Sequence, residues 1–276
     1  MHKRILIIIA SIAILIIALV LIFNQANMLS ITEYNFAFAA VKNDITFVHL
    51  SDLHGKDFGN NNSRLIEMVR QQKPDLIFFT GDLINSYDKK SYDLSIKTIA
   101  SLNNVAPVYY INGNHEYRID YLDELIQKLK ENNITVLQNE MKTVTVKGTV
   151  INILGLDEKR QNADGIIGNL KNLESQSGLK ILLSHYPENF SLNKKYKFNT
   201  YKIDLVLSGH THGGQIALPY IGAVLAPGQD LFPKYGRGLY TENGVNLIVN
   251  RGLGTTEIPI RICSKPEIGV IKVISR

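Results

Sequence analysis

Five short polar segments, each directly after an apolar run, contain residues that commonly bind metal ions. The candidate ligands in these segments are Asp52, His54, Asp82, Asn114, His185, His210 and His212. Carboxylate, imidazole and amide groups without a thiolate are typical of sites for Mn, Fe or Zn rather than for softer metals. The residue types therefore predict a metal site.

The histidines are concentrated in these segments. Of the 7 histidines in the chain, five follow directly after an apolar run, namely His54, His115, His185, His210 and His212. His49 lies within an apolar run instead, and we expect it to be a core residue or a support for the site.

The spacing within two of the segments favours a shared site. Asp52 and His54 are two residues apart, as are His210 and His212. In an extended chain, residues i and i+2 point to the same side. We therefore expect each pair to direct both of its side chains inward.

Each motif alone is weak evidence. Gly81-Asp82 alone is usual for a turn, and Gly113–Glu116 alone could be a turn before a helix. His210-x-His212 is more specific, because two neighbouring imidazoles are costly to place without a function. The prediction of a metal site therefore depends on all five segments together.

The apolar runs before these segments are predicted strands. They are Ile45–Leu50, Leu76–Thr80, Val108–Ile111, 181–183 and 205–207. Helical periodicity over 64–72, 91–102 and 119–130 places helices between the early strands. Alternating strands and helices predict a largely parallel sheet, and ligand sites in such sheets lie beyond the carboxyl ends of the strands. The five segments are therefore expected to converge.

The second half of the chain is predicted to be rich in β-structure. Lys147-Gly148 and Asn243-Gly244 are typical of the turns of β-hairpins, and 268–274 is a predicted final strand. The segment 219–237 is predicted to be a long irregular loop that helps shape the leaving-group side, or an ordinary covering loop.

The N-terminus has the pattern of a membrane anchor. Residues 5–23 are nineteen in a row with one polar residue, Ser11. A helix of this length spans about 28 Å, close to the hydrocarbon core of about 30 Å. A cleaved signal peptide and a buried helix are the alternatives. Lys3 and Arg4 precede the run, which predicts a cytoplasmic N-terminus and a domain outside the cytoplasm.

These boundaries divide the chain into an anchor, 1–28, and a catalytic domain, 29–276, that lies close to the membrane. The net charge is +5, and no basic stripe with interleaved aromatic residues is present, so no nucleic-acid partner is expected. Cys263 is the single cysteine, which excludes an intrachain disulfide and a thiolate zinc site.

The ordered motifs resemble those of the calcineurin-like metallophosphoesterase superfamily over about residues 45–275. They are Asp52-x-His54, Gly81-Asp82, Gly113-Asn114-His115-Glu116, His185 and Gly209-His210-x-His212. The later segments 213–215, 226–229, 231–235, 251–254 and 258–261 are similar to those of its bacterial membrane-associated branch.

The resemblance implies an α/β fold, a four-layer α/β/β/α sandwich of two mixed β-sheets, here preceded by one transmembrane helix. It also implies two divalent metal ions, Mn, Fe or Zn. One is held by Asp52, His54, Asp82 and His212, and the other by Asp82, Asn114, His185 and His210. A hydroxide between the ions would attack phosphorus, with His115 assisting the leaving group.

The expected function is that of a phosphoester hydrolase, more specifically a phosphodiesterase. It is expected to act at the outer face of the cytoplasmic membrane on lipid-linked or cell-envelope phosphoesters. A non-phosphate metal hydrolase of the amidohydrolase type and a non-catalytic metal-binding module are the alternatives. The sequence leaves the oligomeric state open.

Overall fold

The computed structural model describes residues 4, 11, 25–85, 91–214, 216–218, 222–224, 226, 231–255 and 261–275. The predicted transmembrane segment 5–23 lies outside this range, except for Ser11. Within the described ranges, no helix is both long and apolar enough to cross a membrane.

The strands of the described residues are β1 (Ser30–Phe38), β2 (Ile45–Leu50), β3 (Leu76–Thr80), β4 (Val108–Ile111), β5 (Thr135–Val136), β6 (Glu140–Val146), β7 (Thr149–Gly155), β8 (Leu179–Leu183), β9 (Leu205–Ser208), β10 (Ala217–Leu218), β11 (Gly222–Ala223), β12 (Gly238–Glu242), β13 (Val245–Val249) and β14 (Glu267–Ser275). The α-helices are α1 (Ser63–Gln71), α2 (Tyr92–Asn103), α3 (Leu122–Glu131) and α4 (Ala163–Ser175).

The first sheet has the strand order β1-β14-β2-β3-β4-β5. Strands β2 to β5 are parallel, as the alternation of strands and helices predicted. Strand β14 is antiparallel to β2 and parallel to β1, so the sheet is mixed. The carboxyl ends of β2, β3 and β4 therefore lie at one edge, next to the beginnings of β1 and β14.

Three helices cover the outer face of this sheet. Their buried apolar residues, such as Leu65, Leu102 and Leu129, join one core with the strands. The predicted helix at 119–130 begins later, at Leu122, because a short 3₁₀ turn at Glu116–Arg118 precedes it and Ile119 is extended.

The second sheet has the order β12-β13-β9-β8-β7-β6 and is also mixed. Its two hairpins are the predicted ones, β6–β7 and β12–β13. Both turns have two residues in the left-handed region, with φ of 48° and 80° at Lys147-Gly148 and of 53° and 80° at Asn243-Gly244. This geometry matches the twist of the flanking strands.

The prediction of a β-rich second half was incomplete, because it left out α4. This helix connects the parallel strands β7 and β8. The side chain of Asn162 caps it by accepting a hydrogen bond from the Gly165 N–H. Ile166, Leu170 and Leu173 are buried against the outer face of the second sheet. Their spacing of four and three residues is a helical signal.

The two sheets pack face to face around a third apolar core. Phe47 and Phe78 contribute to it from the first sheet, and Ile153, Ile181 and Leu207 from the second. Each fully buried side chain of this kind stabilises the fold by about 1.5–3 kcal/mol. The layers follow as helix, sheet, sheet and helix, so the predicted α/β sandwich of two mixed sheets is confirmed.

Candidate metal centre

All seven predicted metal ligands lie together at the edge where the parallel strands end. They form two groups, each with ligand atoms close to one another. The first cluster is Asp52, His54 and His212, and the second cluster is Asn114, His185 and His210, with Asp82 between the two. Both sheets contribute, so the site is built across the sandwich.

The first cluster combines the loop after β2 with the loop after β9. The Nε2 atoms of His54 and His212 are 3.2 Å apart, and His212 Nε2 is 3.7 Å from Asp52 Oδ1. The ligand atoms of these three residues all lie within 4.8 Å of one another, and all three side chains are buried. One ion could therefore contact all three.

The second cluster joins the loops after β4, β8 and β9. His185 Nε2 is 3.1 Å from Asn114 Oδ1 and 3.2 Å from His210 Nδ1. The other ring nitrogen of His185 is 2.8 Å from the carbonyl oxygen of Thr80. A carbonyl can only accept, so His185 Nδ1 carries the proton and Nε2 presents its lone pair to the cluster.

One oxygen of Asp82 faces both clusters. Its Oδ2 atom is 3.5 Å from His54 Nε2 and 3.5 Å from His185 Nε2. Its Oδ1 atom accepts a hydrogen bond of 2.8 Å from the His115 N–H, which fixes the orientation of the carboxylate. Asp82 is therefore placed to serve two ions at once.

The backbone at the ligands is not extended, contrary to the argument from i and i+2 spacing. Five of the seven candidate ligands have φ in the left-handed region: Asp52 (52°), His54 (49°), Asp82 (53°), His210 (72°) and His212 (51°). Such values are uncommon for residues other than glycine and cluster at functional sites. The chain turns sharply at each ligand, and this turning brings the side chains together.

Two glycines make room for the ligands. A Cβ atom on Gly113 would lie 2.2 Å from Asp82 Oδ1, and one on Gly209 would lie 2.4 Å from Asp52 Oδ2. Both distances are far below contact distance, so any larger residue would displace a ligand. Glycine is needed at both positions because the backbone passes directly over a carboxylate.

Glu116 supports the loop of Asp82, a role that the sequence analysis did not assign. Its carboxylate is fully buried and accepts hydrogen bonds from the N–H groups of Asp82, Leu83 and Gly113 at 2.9, 2.9 and 2.7 Å. Burial raises the pKa of Glu116 to about 7, and the nearby charge of Asp82 adds to this rise. Glu116 thus ties together the two loops that carry Asp82 and Asn114.

Arg261 lies behind the first cluster and was predicted only as part of a late motif. It is fully buried. Its guanidinium donates to the carbonyl oxygens of Arg251 (2.8 Å) and Gly252 (3.1 Å), and its Nη2 atom is 3.4 Å from His212 Nδ1. Burial lowers the pKa of Arg261 to about 10, which still leaves it charged at neutral pH.

His115 is buried beside the ligands, with its ring 4.5 Å from that of His54. One of its ring nitrogens lies within 4.8 Å of ligand atoms of both His54 and Asp82. His49 is a buried support, as predicted: its Nε2 atom is 2.9 Å from Thr80 Oγ1.

The predicted loop 219–237 lies partly outside the described residues and contains β11. Its described part reaches the centre, since Thr211, between the two histidines, donates a hydrogen bond of 2.7 Å to the carbonyl oxygen of Gly236. The loop therefore holds the residue that separates the two clusters.

The electrostatics of the centre fit bound cations. Burial and the nearby negative charge of Asp82 together raise the pKa of Asp52 to about 7. Burial lowers the pKa of His54 to about 4, so its imidazole is neutral and can bind a metal. Although burial opposes it, the negative charge of Asp82 raises the pKa of His185 to about 10, so in the metal-free protein Nε2 also carries a proton, which a bound metal ion would displace. Buried carboxylates of this kind need a compensating charge, which divalent ions would supply.

The chain belongs to the calcineurin-like phosphoesterase family, whose model matches residues 45–214. It is a metallophosphoesterase, a hydrolase of phosphoesters that depends on divalent metal ions, and the predicted family and enzyme class are confirmed. The family also argues against the amidohydrolase alternative.

Two relatives support this assignment, and one solved structure shares the fold. The uncharacterized metallophosphoesterases YkuE and YkoQ of Bacillus subtilis are 31% and 30% identical; the alignments cover 91% and 81% of this chain, and 87% and 82% of the relatives. The sulfate thiohydrolase SoxB of Thermus thermophilus shares the fold with a TM-score of 0.52 at 12% identity, over 77% of this chain and 52% of SoxB.

Proposed function

We propose that this metallophosphoesterase uses two metal ions and cleaves phosphodiesters. The observation that carries the proposal is the position of Asp82 Oδ2, 3.5 Å from a ring nitrogen of each cluster. A carboxylate oxygen placed in this way suits the bridge between two ions of a dinuclear centre.

The residues divide between the two ions as the clusters do. Asp52, His54 and His212 would hold one ion, and Asn114, His185 and His210 the other, with Asp82 shared. Paired ions, when bound, lower the pKa of a water molecule and neutralise the charge of phosphoryl oxygens. The protein keeps these ligands buried, and each is either neutral or paired with an opposite charge. Little reorganisation of the site is therefore needed when a substrate binds.

His115 is the proposed proton donor to the leaving oxygen. Its backbone N–H is fixed by Asp82, and its ring packs edge-on against that of His54 at the side of the first cluster. A histidine at the rim of a metal centre can transfer a proton or stabilise the charge that develops on the departing oxygen.

We place the enzyme at the outer face of the cytoplasmic membrane, acting on lipid-linked or cell-envelope phosphoesters. Support comes from the apolar run 5–23 and from the basic Lys3 and Arg4 that precede it. The folded domain begins at Ser30, only a few residues after that run. A short connection of this kind would keep the centre near the lipid headgroups.

The test uses the full chain, purified in detergent. Bound metal is measured, and hydrolysis of an aryl phosphodiester is compared with that of an aryl phosphomonoester after loading with Mn, Zn or Fe. We expect two ions per chain and a higher kcat/KM for the diester. One ion per chain would overturn the dinuclear centre, and a preference for the monoester would overturn the specificity.

A further inference from the structure

Four exposed apolar side chains lie within the twenty residues that follow the candidate metal ligand His212. Ile216 and Leu218 are each 41% exposed, and Leu231 and Phe232 are 64% and 61% exposed. Large apolar side chains grouped on a surface are typical of contacts with another protein or a membrane. Ile216 follows His212 by only four residues, so this end of the group lies close to the candidate metal centre.

Backbone hydrogen bonds join these residues into one ribbon. Val224 N–H donates to Ile216 at 3.0 Å, and Phe232 N–H donates to Val224 at 2.8 Å. On the other side, Ala217 N–H donates to Ile262 at 2.9 Å. We call this the interface ribbon: Ile216–Leu218, Gly222–Val224, Leu231-Phe232 and Ile262-Cys263.

The interface ribbon also contacts the point where the predicted membrane span ends. The Cys263 N–H donates a hydrogen bond of 2.9 Å to Gln25 Oε1. One residue, Asn24, separates Gln25 from the apolar run 5–23. A chain that leaves the bilayer at residue 24 therefore brings Cys263 to the membrane surface.

The topology places the metal centre at the same end of the domain. Strand β1 begins at Ser30, whose N–H donates to Pro266 at 2.9 Å, and it pairs from there with the beginning of β14. Strand β14 is antiparallel to β2, so its beginning lies at the carboxyl end of β2, where Asp52 and His54 follow. The hydroxyl of Ser264 donates to the carbonyl oxygen of His212 at 2.9 Å.

Two cations flank the ribbon. The Arg237 guanidinium donates to the Cys263 carbonyl at 2.7 Å, and Lys265, two residues further along the chain, is exposed. Basic side chains beside an apolar surface are attracted to anionic lipid headgroups. A bilayer therefore suits both the apolar side chains and the charges around them.

From these observations we infer that the interface ribbon docks onto the lipid bilayer and turns the metal centre toward the headgroups. This inference rests on the membrane anchoring of the proposed function and narrows its substrate class to phosphoesters in the headgroup layer. The anchor then acts as a tether, and the ribbon sets the orientation of the domain.

The experiment measures the depth of single sites in the full chain, reconstituted in vesicles of phosphatidylcholine and phosphatidylglycerol. Cys263 is the single cysteine, so Cys263→Ser gives a background for one new cysteine at a time. Phe232→Cys reports on the ribbon. Ile274→Cys is the matched control, because Ile274 is also exposed, by 46%. It lies seven residues after Glu267 on β14, about 23 Å from the end of this strand that is near the metal centre. Each cysteine carries an environment-sensitive fluorophore, and nitroxide-labelled lipids serve as quenchers.

We expect the label at position 232 to be quenched several-fold more than the label at 274. Equal quenching at the two positions in a protein that floats with the vesicles would overturn the docking but leave the anchor intact. A chain that does not float with vesicles would overturn the anchor, and the docking with it. Hydrolysis of a soluble aryl phosphodiester checks that each labelled protein keeps an intact centre. If Phe232→Cys fails this check, Leu231→Cys replaces it.

Discussion

The two clusters of candidate metal ligands, the halves of the proposed centre, share Asp82 but have opposite surroundings. In the second cluster, His185 donates a hydrogen bond from Nδ1 to the Thr80 carbonyl, and the buried carboxylate of Glu116 supports the loops of Asp82 and Asn114. In the first cluster, Nη2 of the positively charged Arg261 lies 3.4 Å from His212 Nδ1. We call this ring nitrogen, which is not the one that faces the other ligands, the outer nitrogen.

The outer nitrogen of His54 sharpens this contrast. This buried Nδ1 atom has no hydrogen-bond partner among the described residues. Metal-binding histidines almost always donate their outer N–H to a carbonyl or carboxylate, which fixes the ring and increases its basicity. In the second cluster, His185 donates such a hydrogen bond to Thr80. In the first cluster, neither His54 nor His212 donates one to a carbonyl or carboxylate among the described residues. The difference indicates that the second cluster is the better prepared metal site and the first the weaker one.

The largest expected effect comes from the residue that both halves share. Asp82→Asn removes the charge that faces His54 and His185, so both ions should bind more weakly. We expect kcat/KM on an aryl phosphodiester to fall by about 10³-fold, equivalent to about 4 kcal/mol. Bound metal is measured on the same samples, and Asp44→Asn, at the far end of the sandwich, is the control. Wild-type metal content in Asp82→Asn would contradict the shared role.

A second variant separates proton transfer from metal binding. His115→Ala leaves all seven ligands in place, so metal content should stay unchanged. For an alkyl leaving group, which needs a proton, we expect turnover to fall by about 10²-fold or more, and for a nitrophenyl leaving group by much less. If His115→Ala loses metal, then His115 is a ligand of the first cluster and the division of roles is wrong.

Graded removal of metal tests the contrast between the halves directly. We expect two dissociation constants that differ by about 10- to 100-fold, the usual effect of the groups that support metal ligands. In His54→Ala the tighter constant should remain, and in His185→Ala it should be lost. Calorimetric titration of the metal-free chains measures both. Two equal constants in the wild type would show that Arg261 and Glu116 do not distinguish the halves.

The smallest effect is on stability. In Glu116→Gln an amide NH₂ replaces one carboxylate oxygen and faces backbone N–H groups, which leaves buried donors without acceptors. We expect the free energy of unfolding of the metal-free protein to fall by about 1–2 kcal/mol. Denaturant titration provides the measurement, and Glu67→Gln, on the exposed face of α1, should change it little. An unchanged free energy of unfolding would show that Glu116 does not stabilise the loops of the second cluster.

The features that could be predicted from the sequence are those that depend on residues close together in the chain. Strands ending at Leu50, Thr80 and Ile111 could be recognised because apolar runs and the polar segments after them are continuous in the chain. The helix α4 could have been predicted as well, from Ile166, Leu170 and Leu173, but the many short strands around it favoured a β-rich interpretation.

The supports of the centre could not be predicted in the same way, because they join distant parts of the chain. Glu116 accepts hydrogen bonds from residues 33 and 34 positions away, and Arg261 lies 49 positions from His212. An arginine is normally a surface residue, so nothing in the sequence distinguishes a buried one. The left-handed backbone at Asp52 and His54 depends equally on contacts between loops, and local spacing pointed to an extended chain instead.

The pairing of β1 with β14 has a consequence for how the protein forms. Strand β14 separates β1 from β2, and the paired residues Ser30 and Glu267 are 237 positions apart in sequence. During synthesis, β1 has to wait for nearly the whole domain before its neighbour exists. Closure of the first sheet is therefore a late, long-range and slow event. A chain shortened before β14 would keep the ligand loops but leave its N-terminal strand unattached.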